Sequence, residues 1–381
     1  MKAAAPSSPS SRWPVWLGCL VWGAVVSLGW LLCFRFPTFW LLAGIGEPGR
    51  PFLDLFGLLA SCDAARQSLD PFLPNSLDPY HRPLVYSDWW LVLASLGLGR
   101  KDTLWLGAAL AGALLVTALA WLRPRSWREG GLVLLFLFSP AFLLAVHRAN
   151  NDLVILVIVS AGLICFRQDG WPWRAAGIVL FAVAAVLKYY PLVTLLLLLE
   201  LRTWRRVLAG AALYAGVLLL AWPGLVPGLQ SASRNAPAPE WLYAFGAPSL
   251  WRDFGSTDRA GWISLALVVL AWAAFRGWTG SRLAEPADAA ARPAWREFIC
   301  GAVMITGVFF LGASYVYKLV FALWLVPWLR RPPEAVTERR WHGATGLLLT
   351  ATLWTEGVVA LGLNILVSPN APAALWCSRA R

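Results

Sequence analysis

Long apolar runs alternate with short basic links along almost the whole chain. The runs fall at about 13–34, 103–122, 130–146, 152–166, 173–187, 190–201, 206–222, 262–275, 298–313, 316–329 and 343–364. Several approach the roughly 20 residues that an α-helix needs to cross a bilayer. The pattern predicts an all-α polytopic membrane protein of about eleven transmembrane helices, folded as one integral membrane domain over 1–381. The first run follows a short basic segment, Lys2 to Arg12, and extends from Trp13 to Phe34. It is longer than a signal-peptide core of roughly 7–15 residues, and no small-residue cleavage site follows it, so an uncleaved signal anchor is expected.

The basic links assign sides to these helices. Short cytoplasmic loops collect Lys and Arg. Arg123, Arg125 and Arg128 form one cluster; Arg167 and Arg174 the next; then Arg202, Arg205 and Arg206; then Arg276, Arg282, Arg292 and Arg296; then Arg330, Arg331, Arg339 and Arg340. The clusters occupy every second link. This predicts a cytoplasmic N-terminus (1–12), two large extracytoplasmic loops (35–102 and 223–261) and an outer C-terminal tail (365–381). To keep the alternation, 173–187 and 190–201 must form a hairpin that turns at Lys188–Pro191. Each arm is too short for a full crossing, so the turn should be sunk below the outer surface and line a cavity. Within the first outer loop, Leu84 to Leu98 reads as an interfacial helix. The repeated phrases Ser68-Leu69-Asp70-Pro71-Phe72 and Ser76-Leu77-Asp78-Pro79-Tyr80 read as turns or helix starts.

Composition agrees with the membrane reading. The chain is 59% hydrophobic and 14% charged, with mean hydropathy +0.62, against about 25% charged residues in soluble proteins. Its 25 Trp suit the headgroup level. The net charge of +12 comes from Arg placed between apolar runs, which speaks for topology and against nucleic-acid binding. Cys19, Cys33, Cys165 and Cys300 lie in apolar runs and behave as small hydrophobes. A bond between Cys62 and Cys377 stays open. No spacing resembles a metal site, and neither metal nor cofactor is expected.

The polar residues that remain gather on the expected outer face: Asp54, His147, Arg148, Asn150, Asn151, Asp152, Lys188, Tyr189, Tyr190, Tyr317 and Lys318. A central Lys or Asp in a bilayer costs roughly 2.5–3.5 kcal/mol, so each should have a partner or a task. Asp54, in Phe52-Leu53-Asp54-Leu55-Phe56, is either a helix cap or a partly desolvated carboxylate whose pKa is raised, suited to a general base. Lys188 and Lys318 either snorkel to the headgroups or contact phosphate. The stretch His147 to Asp152 is either a plain outer turn or part of a site. Glu356 is paired with a cation or faces a cavity. One acid with several cations suits transfer from a phosphate-linked donor: the acceptor hydroxyl needs a base, whereas departing phosphate needs positive charge and no proton. A lipid-linked donor accounts for such chemistry in a membrane protein, because nucleotide sugars are not available outside the cytoplasm.

At these residues the chain resembles glycosyltransferase family 87, the polyprenol-phosphate-dependent mannosyltransferases with a GT-C type membrane fold. Asp54, Ala64-Ala65-Arg66 and Pro71-Phe72 look like the family's first-loop pattern, with Leu58 where the family has Tyr. Ala149-Asn150-Asn151-Asp152 loosely matches its Gly-Gln-x-Asn turn. Leu187-Lys188-Tyr189-Tyr190-Pro191 matches its Leu-Lys-x-x-Pro element, and Tyr317-Lys318-Leu319-Val320-Phe321 a later Tyr-basic element. The resemblance spans roughly 50–330. It implies inverting transfer of a sugar, a hexose such as mannose, from a polyprenyl-phosphate donor to a lipid or glycan acceptor at the outer face of the plasma or inner membrane. Asp54 would be the base, with Lys188, Arg148 and Lys318 on the donor phosphate and His147, Asn150, Asn151, Asp152, Tyr189, Tyr190 and Tyr317 around the substrates. Two other classes compete: a transporter or flippase of lipid-linked sugars, although no internal repeat is visible, and a non-catalytic scaffold.

Overall fold

The computed structural model describes residues 51–122, 124, 126–201, 203–235, 244–246, 292–311, 314–331, 340 and 342–355. The expected anchor at 13–34, the run at 262–275, most of the second outer loop, Glu356, Cys377 and the two terminal segments lie outside the described residues. Among the described residues the regular structure is helical apart from a two-residue antiparallel ladder, β1 (Ala244–Phe245) against β2 (Ser314–Tyr315), with Ala244 opposite Tyr315; 67–87 is an irregular connection. Four helices are long and apolar enough to cross a membrane: Arg100–Leu119, Trp171–Lys188, Trp204–Asn235 and Arg292–Phe310. The bent pair Glu129–Leu137 and Pro140–Arg148, which meet at 53°, makes a fifth if taken as one span. The chain is thus an α-helical membrane protein.

The elements follow the apolar runs except for the first, which lies in the expected first outer loop, where no run is predicted. α1 is Leu53–Arg66, α2 Thr103–Leu122, α3 Trp127–Leu137 and α4 Pro140–Arg148. α5 is Asp152–Arg167, α6 Trp171–Lys188, α7 Trp204–Asn235 and α8 Arg292–Leu311. The run 130–146 is broken into α3 and α4 because Pro140 suits the first turn of a helix and not its interior. α5 and α6 pack closely at two glycines: a Cβ on Gly177 would lie 2.7 Å from the Gly162 carbonyl oxygen. Small residues allow such approach between membrane helices. Leu208, Leu219 and Leu220 on α7 and Leu104 and Val116 on α2 stay exposed, as lipid-facing positions would.

The turn expected at Lys188–Pro191 is present, but its first arm, Trp171–Lys188, is long and apolar enough to cross a membrane, where an arm too short to cross is expected. α6 ends at Lys188, Tyr189 takes a positive φ of 51°, and a 3-10 segment runs back over Tyr190–Glu200. Gly210 of α7 faces both Ile178 and Leu198, ten residues to either side of the turn, so the two arms lie antiparallel. A second 3-10 segment, Val316–Leu325, is buried at every position, so the run at 316–329 is a core element and not a lipid-facing span.

Two expectations change. The second outer loop does not begin at Pro223, because α7 continues through Pro223 and Pro227 to Asn235. Proline is tolerated in membrane helices when neighbours satisfy the backbone, and the adjacent Gly224 and Gly228 let Asp88, Tyr86 and Tyr189 approach α7 closely. The stretch 84–98 is helical only over 88–95, shorter than expected. It contains two short turns, Asp88–Leu91 and Val92–Ser95, and is pinned to the bundle where Trp90 Nε1 donates to the Leu187 carbonyl at 2.9 Å. Its Trp89, Val92 and Leu96 remain exposed at i, i+3 and i+7.

Residues assigned to one side of the membrane meet each other. At the end that the Arg rule makes cytoplasmic, Arg167 pairs with Glu297, Arg296 Nε lies 2.6 Å from Glu200, and Arg330 pairs with Glu129. Trp121 Nε1 donates to Glu297 at 2.9 Å. These arginines therefore staple helices together and are not only solvated topology signals. The polar residues of the candidate site gather at the other end of α5, roughly 22 Å away at 1.5 Å per residue.

Candidate active site

Asp54 lies in the first turn of α1, where a carboxylate suits the positive end of the helix dipole. It makes no side-chain cap; it reaches across to α4 instead. Arg148 grips it with the Nε–Nη2 edge of the guanidinium, Nε to Oδ2 at 3.0 Å and Nη2 to Oδ1 at 2.8 Å. Asn150 Nδ2 donates to Oδ2 at 2.6 Å, and Arg82 Nη1 lies 3.5 Å from Oδ1. Burial alone would push the Asp54 carboxyl up, as its apolar neighbours suggest. Arg148, Asn150 and Arg82 outweigh burial and hold it below the ordinary aspartate range. The expectation of a raised pKa is therefore corrected: the sequence neighbours are apolar, but the spatial neighbours are cations.

A second cluster is centred on Asp152, the first residue of α5. Lys188 Nζ lies 2.6 Å from its Oδ1, Lys318 Nζ 3.1 Å, and the Tyr190 hydroxyl donates to the same oxygen at 2.5 Å. Lys188 also donates to Asn150 Oδ1 at 2.7 Å and to Asn151 Oδ1. Both lysines are buried, which removes the snorkelling reading for each. Lys318 sits 3.9 Å from the centre of the Tyr190 ring, and Lys188 5.1 Å from that of Tyr86.

Asn150 joins the two clusters. Its Oδ1 accepts from Lys188 and from the Asp152 backbone N–H at 2.9 Å, so its amide must point Nδ2 at Asp54. Among the described residues the joined network sets four cations, Arg82, Arg148, Lys188 and Lys318, against three carboxylates, Asp54, Asp78 and Asp152. The net excess is positive. Buried Asn151 Nδ2 and Asp152 Oδ2 have no hydrogen-bond partner among the described residues. Backbone conformations that L side chains rarely adopt sit beside the key groups: Phe52 (φ 60°) before Asp54, Ala149 (φ 42°) between Arg148 and Asn150, and Tyr189 (φ 51°) after Lys188. Such residues cost about 1–3 kcal/mol each and concentrate at functional sites. Two of the three turns are tied together, since the Phe52 N–H donates to the His147 carbonyl at 2.7 Å.

The remaining expected residues divide. His147 is buried beside the site. Tyr317 stacks on Tyr315 at 5.3 Å, and Tyr315 carries Arg148 over its ring at 4.7 Å. Tyr189 is not brought in: its ring packs on Val186, Ala221 and Leu225. Sequence reasoning missed Arg82, Asp78, Tyr86 and Tyr315. Asp78 does make the expected turn, accepting the Tyr80 N–H at 2.9 Å, but its other oxygen holds Arg82 Nε at 2.8 Å. A signal for Arg82 existed. The loop 35–102, expected outside, contains six cations, Arg35, Arg50, Arg66, Arg82, Arg100 and Lys101; a loop this long is exempt from the charge rule, so its cations carry no topological meaning and are open to a local one. The Ala64-Ala65-Arg66 and Pro71-Phe72 phrases lie away from Asp54; Arg66 pairs with Asp63, and Phe72 N–H closes a turn on Asp70 Oδ1 at 2.9 Å. Among the described residues no group of His, Cys, Asp and Glu could hold a metal ion. Comparison of the chain with family models, curated proteins and solved structures finds no match.

Proposed function

We propose that this protein transfers a sugar from a polyprenyl-phosphate donor to a lipid or glycan acceptor at the extracytoplasmic face of the plasma or inner membrane, within a GT-C type bundle. The observation that carries the reading is the joined network: one carboxylate, Asp54, linked through Asn150 to a cation-rich cluster at the end of α5 opposite the Arg-rich one. A sugar phosphodiester brings one negative charge, and the excess of cations accepts it. As the bond from the anomeric carbon to phosphate oxygen breaks, the leaving phosphate gains a second negative charge, so cations at this position favour the transition state over the ground state. The acceptor oxygen attacks from the opposite face and gives its proton to Asp54, inverting the anomeric centre. Arg148 is shared: donor phosphate competes with Asp54 for it, and binding of donor frees the base. The decisive experiment incubates the purified chain with radiolabelled polyprenyl-phosphate sugars and a lipid extract. Transfer of label supports the reading; binding or translocation of the intact donor without transfer favours a transporter, for which a buried Asp–Lys cluster is also suited.

Two subsidiary outcomes belong to the same reading. Lys188→Met should weaken donor binding by one to two orders of magnitude, since a charge-assisted contact contributes about 1.5–3 kcal/mol; Lys188→Arg should retain part of it. Equal affinity in wild type and Lys188→Met would remove Lys188 from the donor site. A Cys introduced near Arg125 should react with membrane-impermeant reagent only from the cytoplasmic side, and labelling from outside would invert the assigned topology.

A further inference from the structure

We infer that the cleft between the last turn of α1 and the start of α2 binds the phosphate group of a membrane lipid, at a site separate from Asp54. The cleft has a volume of about 400 Å³ and is lined by Phe56, Asp63, Arg66, Arg100 and Lys101. Asp63 organises it. Its carboxylate holds Arg66 on one oxygen, and on the other accepts from Arg100 Nε at 2.7 Å and the Arg100 backbone N–H at 3.2 Å. Arg100 Nη1 is fixed further by the Leu77 carbonyl at 3.0 Å. One carboxylate thus orients two guanidinium groups, and with exposed Lys101, which makes no ion pair among the described residues, the lining carries an excess of two positive charges that neighbouring Asp102 reduces to one. Gly99 is needed for this arrangement, since a Cβ there would collide with the Asp63 carboxylate and Arg66.

The surroundings point to a lipid and not to a soluble anion. Arg100 is the first residue of a helix apolar enough to cross the membrane. Leu104 and Trp105 on its first turn are 65% and 54% exposed, and Leu96 just before it is 68% exposed. The Trp105 indole donates to Asp102 at 3.1 Å, the polar tip and apolar body expected of an aromatic ring at headgroup depth. Cations set among outward apolar side chains meet phosphate above and acyl chain below. Asp63, which orients the cations of the cleft, lies nine residues from Asp54, roughly 13 Å along α1, and the lining includes none of the Asp54 partners Arg148, Asn150 and Arg82. The assignment is independent of sugar transfer.

The test is native mass spectrometry of the full chain in neutral detergent, titrated with phosphatidylglycerol or phosphatidylcholine. Wild type should retain one phosphatidylglycerol in preference to phosphatidylcholine. Lys101→Gln, at an exposed position, should reduce that retention threefold or more, and Lys101→Gln with Arg66→Gln at least tenfold, while Lys101→Arg keeps it. Arg205→Gln, an exposed cation at the start of α7, should change nothing. No loss in the double variant, or equal loss in Arg205→Gln, would overturn the site in favour of diffuse charge. Displacement of phosphatidylglycerol by inorganic phosphate at equal concentration would overturn the lipid assignment.

Discussion

Asp54→Asn is expected to lower sugar transfer by roughly 10²–10⁴-fold, the usual contribution of a positioned general base, while donor affinity stays the same or rises. The second half of that result is the diagnostic one. In the free protein Asp54 occupies the Nε–Nη2 edge of the Arg148 guanidinium. The amide cannot hold Arg148 as an anion does, so the variant presents Arg148 to the donor phosphate without competition. Asp63→Asn and Asp70→Asn should stay active, because those carboxylates serve the α1–α2 cleft and a local turn. The pH profile should separate two states. Without donor, Arg148 keeps the Asp54 carboxyl below the ordinary aspartate range, so the acid limb of kcat/KM should lie low. With donor on Arg148 the carboxyl loses its main partner, and the acid limb of kcat should move to higher pH. Because the folded-state pKa is lowered, the pair's contribution to stability is present above the unfolded value of ~3.9 and is lost as pH falls through the folded one. Full activity in Asp54→Asn would remove the base role; weakened donor binding would remove the competition for Arg148.

Much of the helical layout was legible in the sequence because two independent rules act on it. Run length marks the helices, and Arg placement marks their ends. The hairpin at Lys188–Pro191 was legible only from the second rule, since 173–201 reads by hydropathy as one span. What escaped were choices made by tertiary contacts. Pro223 looks like a helix stop, yet α7 runs through it, with Asp88, Tyr86 and Tyr189 closely approaching Gly224 and Gly228. Arg167, Arg296 and Arg330 look solvated, yet each finds a carboxylate on another helix.

The candidate site shows the same division. Its members were visible as polar residues in places where apolar ones are cheaper. Their pairing was not, because Asp54 and Arg148 are 94 residues apart in sequence. A carboxylate flanked by Phe52, Leu53, Leu55 and Phe56 reads as desolvated. Nothing local says that a guanidinium from another helix will settle on it and reverse the sign of the shift. Tyr189 and Tyr190 are adjacent and look equivalent, but the Tyr189 ring packs on Val186, Ala221 and Leu225 while the Tyr190 hydroxyl reaches Asp152.

Asp152→Asn should be the most destabilising single change in the network, lowering thermal stability in detergent more than Lys188→Met or Lys318→Met does. In the native protein one carboxylate oxygen is approached by two ammonium groups and a phenol, with Asp152 and both lysines buried and Tyr190 partly so. Removing either lysine leaves a one-to-one ion pair that Asp152 still satisfies. Removing the carboxylate leaves two like charges close together without a counter-charge, and breaking a buried pair in this way is worth about 3–5 kcal/mol. The amide that replaces the carboxylate could still accept a hydrogen bond, so the loss would be electrostatic and not geometric. The double variant Asp152→Asn with Lys188→Met should therefore regain part of what the single variant loses, because it removes one of the two repelling charges. Groups in direct contact are expected to be non-additive in this sense. The measurement is a double-mutant cycle on the melting temperature, read at a pH near neutrality. Additive losses would mean that Lys188 and Asp152 do not sense each other's charge, and the cluster would then be no more than a set of separately packed polar groups.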